Sequence, residues 1–321
     1  MQTFSELLTK FESYFSQQEF PKSAKNLYEP CSYLLNIGGK RIRPVMCLMS
    51  HELYAPLSES VWNAAVAIEL FHNFTLMHDD IMDKAPLRRG FKTVHEKYDL
   101  PTAILSGDVM NIFTYVYLSK IENKFLKPAL ELFNHTAIQI CEGQQFDMDF
   151  EKREEIGVDE YINMITLKTS VLLGMSLKLG AMLGGATESS SDVLYHFGRE
   201  MGIAFQMKDD YLDAFGDSEK TGKQVGGDIL CNKKTYLYAK TCEIANEEQK
   251  SYFNSLLHRN DSSKVQDMIL FFEKIGVKDI LQNEIVSRTN KAFELLEEVP
   301  VVSKRKQSLK ALAEMLLNRE K

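Results

Sequence analysis

Between Pro128 and Pro300 this 321-residue chain contains no proline. Proline lacks a backbone N–H and clashes with the preceding turn, so a run that long without it favours long helices. Apolar spacing agrees. Phe4, Leu7, Leu8, Phe11, Tyr14 and Phe15 recur at three- and four-residue steps, the stripe of an amphipathic helix. Residues 61–78, 103–119, 130–145, 191–212 and 292–298 have similar helical character, and several of these runs are apolar enough to be buried helices. The strict alternation that marks a half-buried strand is hard to find. Turn residues gather in a few places: 36–39, 86–90, Gly184-Gly185 and 213–231. With no long linker and no fixed repeat, the expectation is a single all-α domain over residues 1–321, a large helical bundle packed around a central core.

The chain is 44% hydrophobic and 26% charged, which supplies a deep core and excludes a disordered or collagen-like polymer. Its formal charge of −7 comes from 38 basic and 45 acidic residues. That balance argues against a general nucleic-acid binder, whose footprint is a basic stripe. It leaves anionic small substrates open, provided that cations gather locally. The five cysteines Cys31, Cys47, Cys141, Cys231 and Cys242 form no C-x-x-C pair; they fit idle thiols in a reducing compartment rather than a zinc ribbon or redox motif. The N-terminus has no basic region followed by an apolar core, so no signal peptide is expected. The most apolar stretch, 171–186, is interrupted by Lys178 and falls short of the roughly 20 residues of a membrane span. A cytoplasmic protein without a transmembrane segment is expected.

Asp79-Asp80-Ile81-Met82-Asp83 reads D-D-x-x-D. On a helix Asp79 and Asp83 share a face, with Asp80 beside them. Carboxylates so crowded repel one another, and a hard divalent cation such as magnesium relieves the repulsion because it takes oxygen ligands. Alone, such a cluster is most often a solvated acidic face. Here Asp209-Asp210-Tyr211-Leu212-Asp213 repeats the spacing after a second apolar run. The pair points to two acidic walls across a cavity, with metal ions between them and a polyanion on the metals. Cations accompany both clusters. Gly38-Gly39-Lys40-Arg41-Ile42-Arg43-Pro44 follows a glycine turn, Arg88-Arg89-Gly90 lies just beyond Asp83, Lys168-Thr169-Ser170 follows a helical run, and Lys223 and Lys233 flank a glycine-rich loop. Arginine forks match phosphate oxygens and lysine supplies point charge, which makes diphosphate the expected ligand. The Walker pattern G-x-x-x-x-G-K-[ST] does not occur, so nucleotide hydrolysis is not indicated.

The motifs GGKRIRP at 38–44, FHNFTLMHDDIMD at 71–83, LRRG at 87–90, GQQFDMD at 143–149, KTS at 168–170 and FQMKDDYLDAFGDSEKTGKQVGGD at 205–228 span most of the chain. In this order and spacing they resemble the head-to-tail trans-prenyl diphosphate synthases, the polyprenyl synthetase family, of the short-chain type that makes geranylgeranyl or farnesyl diphosphate. The resemblance implies an isoprenoid synthase fold, an all-α bundle around a deep central cavity, usually as a homodimer. It implies an allylic diphosphate bound through about three magnesium ions on Asp79, Asp83 and Asp209, with Asp80, Asp210 and Asp213 in support. Arg88, Lys168, Thr169, Gln206, Lys223 and Lys233 would contact the same diphosphate, and Arg88, Lys168, Gln206 and Lys223 would assist its departure. Isopentenyl diphosphate would sit on Lys40, Arg43, His72 and Arg89, with Gly39 shaping the turn. The floor that stops elongation would lie just before the first cluster, at Phe71, Phe74 and Thr75. One aromatic followed by a small residue there resembles makers of geranylgeranyl diphosphate; two adjacent aromatics would point to farnesyl diphosphate.

Departures from the family pattern touch the loops. Lys92 and Gln224 stand where prolines are common, Cys231-Asn232 precedes Lys233 where an acidic residue and glycine are usual, and the tail 317–321 carries only part of a basic ending. Lys233 and Lys234 therefore both remain open as the diphosphate contact. Two rivals remain as well. A terpene cyclase would share the aspartate walls without needing Lys40 and Arg43. Glu69-Leu70-Phe71-His72 also reads as the Glu-x-x-His of ferritin-like di-iron oxidoreductases, although no second copy occurs on another helix. Both clusters being intact argues against a non-catalytic partner subunit.

Overall fold

The computed structural model describes residues 1–216 and 226–317. In chain order they form α1 (Phe4–Phe15), α2 (Lys25–Asn36), α3 (Ile42–Glu52), α4 (Glu59–Met82), β1 (Leu87–Arg88), β2 (Phe91–Lys92), α5 (Val94–Lys97), α6 (Leu100–Leu118) and α7 (Asn123–Glu151). There follow α8 (Val158–Ile165), a π-helical turn (Thr166–Ser170), α9 (Val171–Leu183), α10 (Glu188–Phe215), α11 (Gly227–Leu230), α12 (Tyr236–Ile244), α13 (Glu247–Leu257), α14 (Lys264–Lys274), α15 (Val277–Glu298) and α16 (Ser303–Leu317). The fold is all-α, as the proline gap and the periodicity predict. Among the described residues the strands are confined to one hairpin of two-residue strands.

Local chemistry sets several helix starts. Thr3 and Glu6 form a capping box on α1, and Asn246 with Gln249 does the same on α13. Asp99 accepts the Thr102 N–H at 2.7 Å and caps α6, with Pro101 in its first turn. These contacts satisfy amide donors that a helix leaves unpaired at its N-terminus.

The chain divides into two compact units. One comprises Met1–Asn134, Met175–Leu194 and Pro300–Leu309. Its core is α4 packed along α6, with α3 buried from Pro44 to His51. Ala64, Ala65 and Ala67 keep α4 slim enough for close packing. Gly180 of α9 meets α3 backbone to backbone: a Cβ there would stand 2.0 Å from the Cys47 carbonyl oxygen. Beside it the Ser50 hydroxyl donates to the Leu177 carbonyl at 2.6 Å.

The other unit comprises His135–Gly174, Tyr195–Val299 and the segment from Lys310. Its core gathers Phe150, Tyr161, Met207, Phe253, Phe272 and Leu281. Glu200 of α10 is buried beneath three cations, Arg288 at 3.0 Å, Lys291 at 3.1 Å and Arg199 at 3.2 Å. Burial alone would raise the Glu200 pKa; the three hydrogen bonds outweigh it and hold the value below the ordinary 4.5. Glu200→Gln is expected to destabilise this unit by about 2 kcal/mol, measured by urea denaturation at neutral pH. A depressed folded-state pKa stabilises above the unfolded value and ceases to do so as pH falls through the folded one. The difference between Glu200→Gln and the parent should therefore shrink below pH 4.5; a gap independent of pH would refute the ionic account.

α8, the π turn and α9 run on as one helix, Val158–Leu183, 26 residues long. By length and composition that is enough to cross a membrane, so the expectation that this apolar stretch is too short does not hold. Of its most apolar window, 72% is buried among the protein's own side chains, the condition of a core helix.

Candidate active site

α4 ends in the first aspartate cluster: Asp79 and Asp80 lie in its last turn and Asp83 is its C-cap. Acidic groups there oppose the helix macrodipole, a placement that folding alone does not favour. The three carboxylates differ in surroundings. Asp80 is 2% exposed and takes the fork of Arg88, with Nε at 2.9 and 2.8 Å and Nη2 at 2.7 Å. The same guanidinium lies 3.8 Å from Asp79, while Asp83 is exposed at the helix end. Burial works against the charge on Arg88, but Asp80, Asp79 and Asp83 more than offset it and raise its pKa.

A hairpin aims Arg88 and Arg89. Leu87 pairs with Lys92 and Arg88 with Phe91, leaving Arg89 and Gly90 at the tip with φ of 54° and 81°. Two left-handed residues match the twist of a tight hairpin. Arg89 lies over Gly39, where a Cβ would stand 2.9 Å from its Nη1. The turn itself is made at Gly38, whose φ is 87°. Gly39, expected to shape that turn, instead provides the notch in which the Arg89 guanidinium rests.

The cations of the GGKRIRP segment divide by role. Arg41, with φ of 47° at the start of α3, is buried; it pairs with Glu69 and donates to the Leu35 carbonyl at 2.7 Å. Glu69 also accepts from Asn73 Nδ2 at 2.8 Å. Arg43 Nη1 lies 3.1 Å from His72 Nε2. A guanidinium only donates, so that nitrogen accepts and His72 is neutral, its proton on Nδ1. Burial and the cations Arg43, Arg89, Arg88 and Arg41 hold His72 well below the usual imidazole range. Burial brings Arg43 down to about 10, with Glu69 opposing and Arg89 assisting, which leaves it a cation at neutral pH. Lys40 is exposed. Glu69 is committed to Arg41, so Glu69 and His72 do not make a di-iron half-site.

The second cluster closes α10. Asp210 is buried and accepts from the Tyr161 hydroxyl and from the Tyr236 N–H at 3.1 Å. Burial, assisted by the charge of Asp228, pushes its pKa up to about 7. Asp213 accepts the Asp228 N–H at 3.0 Å, and its carbonyl accepts the Gly226 N–H at 2.6 Å. Lys168 lies on the π turn and donates to Asp147 at 2.6 Å. Two glycines allow the turn to be gripped closely. A Cβ on Gly143 would stand 2.3 Å from the Lys168 nitrogen, and one on Gly202 2.8 Å from the Ser170 Cα. Such π segments recur at functional sites because they turn side chains out of helical register. Asp147, inside the GQQFDMD motif but given no role by sequence reasoning, is the counter-ion of Lys168. Thr169, Gln206 and Asp209 are partly exposed.

In both clusters the second aspartate is buried and held by protein donors. Among the described residues no three carboxylate, imidazole or thiolate side chains converge on one point. The donors offered are oxygens alone, which suits a hard cation. Magnesium takes one or two carboxylates and completes its shell with water and phosphate oxygens rather than a protein cage, so this donor set fits it.

The sequence model of the polyprenyl synthetase family matches residues 24–275. The chain belongs to that family. A short chain isoprenyl diphosphate synthase of Methanothermobacter thermautotrophicus is 37% identical over 299 residues, 92% of this chain and 91% of that protein. A geranylfarnesyl diphosphate synthase of Natronomonas pharaonis is 33% identical over 95% of this chain and 93% of its own. The crystal structure of a geranylgeranyl pyrophosphate synthase matches with a TM-score of 0.94 at 41% identity, covering 100% of both chains. The protein is thus a prenyl diphosphate synthase, a prenyltransferase with the isoprenoid synthase fold.

In this synthase the two candidate lysines separate. Lys234 lays its ammonium 3.8 Å from the Tyr238 ring centre. Lys233 lies 3.9 Å from Asp228, and its charge opposes the upward shifts of Asp210 and Asp213. Electrostatically it is Lys233 that belongs with the second cluster. Lys223 and the tail from residue 318 lie outside the described residues. Phe71 is buried and packs on Phe74 at 5.7 Å and on Phe133 at 4.9 Å. The Thr75 hydroxyl turns back to the His72 carbonyl at 2.8 Å.

Proposed function

We propose that this prenyl diphosphate synthase makes geranylgeranyl diphosphate, joining isopentenyl diphosphate head-to-tail to an allylic diphosphate with the help of about three magnesium ions. The observation that carries the reading is the recurrence of one design at two helix ends: a D-D-x-x-D with its second aspartate buried and locked, and cations beside it. When bound, magnesium supplies charge neutralisation at the departing diphosphate. Asp79, Asp83 and Asp209 would hold it. Asp80 and Asp210, being held by protein donors, each steady their own cluster. Arg88, Lys168, Thr169, Gln206, Lys223 and Lys233 orient the allylic diphosphate and stabilise the negative charge that grows as its carbon–oxygen bond breaks.

Lys40, Arg43 and Arg89 hold isopentenyl diphosphate. Neutral His72 accepts from Arg43 and fixes its fork, and Gly39 seats Arg89. The double bond, held close and aimed, attacks the allylic carbon, and a proton then leaves to the diphosphate. The apolar residues beyond Asp79 exclude water and receive the growing chain. Support for geranylgeranyl diphosphate comes from the Phe74-Thr75 pair before the first cluster and from the 41% identical solved synthase of that name.

A homodimer is part of this reading. Ile104, Leu105, Ile112, Tyr115 and Val116 are exposed and recur with helical period along one face of α6. A second copy of the same chain would cover that stripe.

Incubation with magnesium, isopentenyl diphosphate and dimethylallyl, geranyl or farnesyl diphosphate should give geranylgeranyl diphosphate. Chelation should stop the reaction, and added magnesium should restore it. No elongation from any primer would reject synthase activity, and hydrocarbon from a single long diphosphate would indicate a cyclase. Phe74→Ala is expected to lengthen the main product by opening the floor; an unchanged product would remove Phe74 from that role.

A further inference from the structure

The ring of Phe74 lies between two others. On one side is Phe71. On the other is His78, centroids 4.8 Å apart and planes at 69°. His78 is one turn beyond Phe74 on α4, and its side chain leaves the helix to lie in a notch on α6. The notch is Gly107. A Cβ there would stand 2.2 Å from His78 Nε2 and 2.5 Å from Cδ2, so any side chain at 107 would claim the space of the ring. Nε2 lies 3.1 Å from the Ile104 carbonyl oxygen. A carbonyl only accepts, so Nε2 carries the proton and donates. The hydrogen bond fixes the ring along the notch, and the missing side chain at Gly107 fixes it across the notch.

We infer that His78, seated in the Gly107 notch of α6, is a positioning residue for product length: it braces Phe74 and thereby sets the depth of the floor. The inference rests on Phe74 being the floor. Removing the imidazole leaves a ring-sized void beside Phe74, which Gly107 has no atoms to fill. Phe74 then gains a second staggered rotamer directed into the void, and the chain can grow past it. An alanine at position 107 would occupy part of the same void and return Phe74 to its place.

The test is the product distribution from isopentenyl and farnesyl diphosphates with magnesium, read at equal low conversion so that loss of turnover does not enter. His78→Ala is expected to raise the share of product one isoprene unit longer several-fold. Combining it with Gly107→Ala is expected to move the distribution back toward the parent, which a general weakening of the fold would not do. Gly107→Ala alone, which expels the ring, should also shift the distribution, and it serves if His78→Ala does not fold. A parental distribution from His78→Ala, or a double variant no shorter in product than His78→Ala, overturns the brace. Phe74→Ala separates the layers. If it lengthens the product while His78→Ala does not, the floor stands and the brace falls; if it changes nothing, both fall.

Discussion

Asp79→Ala and Asp209→Ala should each lower turnover by about 10³-fold while helical content by circular dichroism stays at the parental level. In the proposed role each change would remove an oxygen donor for a hard cation, and the charge that grows on the departing diphosphate would then lack its partner. The Arg88 fork goes to Asp80, at 2.7–2.9 Å, and its Nη2 lies 3.8 Å from Asp79. Asp80→Ala should accordingly show a different signature, a loss of stability as well as of activity, because it strips the half-buried Arg88 guanidinium of its main acceptor. Turnover of Asp79→Ala or Asp209→Ala within tenfold of the parent would refute the metal assignment.

Arg41→Met should cost about 3–5 kcal/mol in the unit that holds α3 and α4. Arg41 is 8% exposed and Glu69 3%, so the substitution leaves a buried carboxylate that has lost its ion pair and keeps its hydrogen bond from the Asn73 amide. The double variant Arg41→Met, Glu69→Met should recover most of the loss, since an apolar pair of similar volume replaces two buried charges. Urea denaturation followed by tryptophan fluorescence reads the relevant unit, because the single tryptophan, Trp62, lies on α4. A single variant within about 1 kcal/mol of the parent would show the pair to be incidental. The same comparison distinguishes Arg41 from Arg43. Arg43→Met should chiefly raise the KM for isopentenyl diphosphate if its fork meets that substrate.

The candidate residues of the site were legible in the sequence, but not the partners that each of them meets. The spacing in each D-D-x-x-D shows that first and last carboxylates share a helix face. It does not show that Asp80 is consumed by Arg88, or Asp210 by Tyr161 and Tyr236. Those partners are 8, 49 and 26 residues away in sequence. In GGKRIRP the three cations look equivalent as letters. A left-handed residue at Arg41 turns its side chain inward to Glu69, and the following half-turn of α3 sends Arg43 to His72. The π turn and the two-residue hairpin were not foreseen because neither leaves a periodic signal: one is a single widened turn, the other too short to alternate.

The proline gap, the apolar residues at three- and four-residue steps and the ordered motifs thus determined that this chain is helical, which family it resembles and where its carboxylates cluster. Those properties are local, since helix formation and charge crowding act over a few residues. Tertiary structure decided the rest. It decided which glycine makes a turn and which makes a notch, which lysine of the Lys233-Lys234 pair faces the acidic cluster, and that a histidine beside Asp79 leans on another helix. Those outcomes depend on the direction in which a side chain leaves its backbone and on what stands opposite. Neither is encoded at any fixed spacing along the chain.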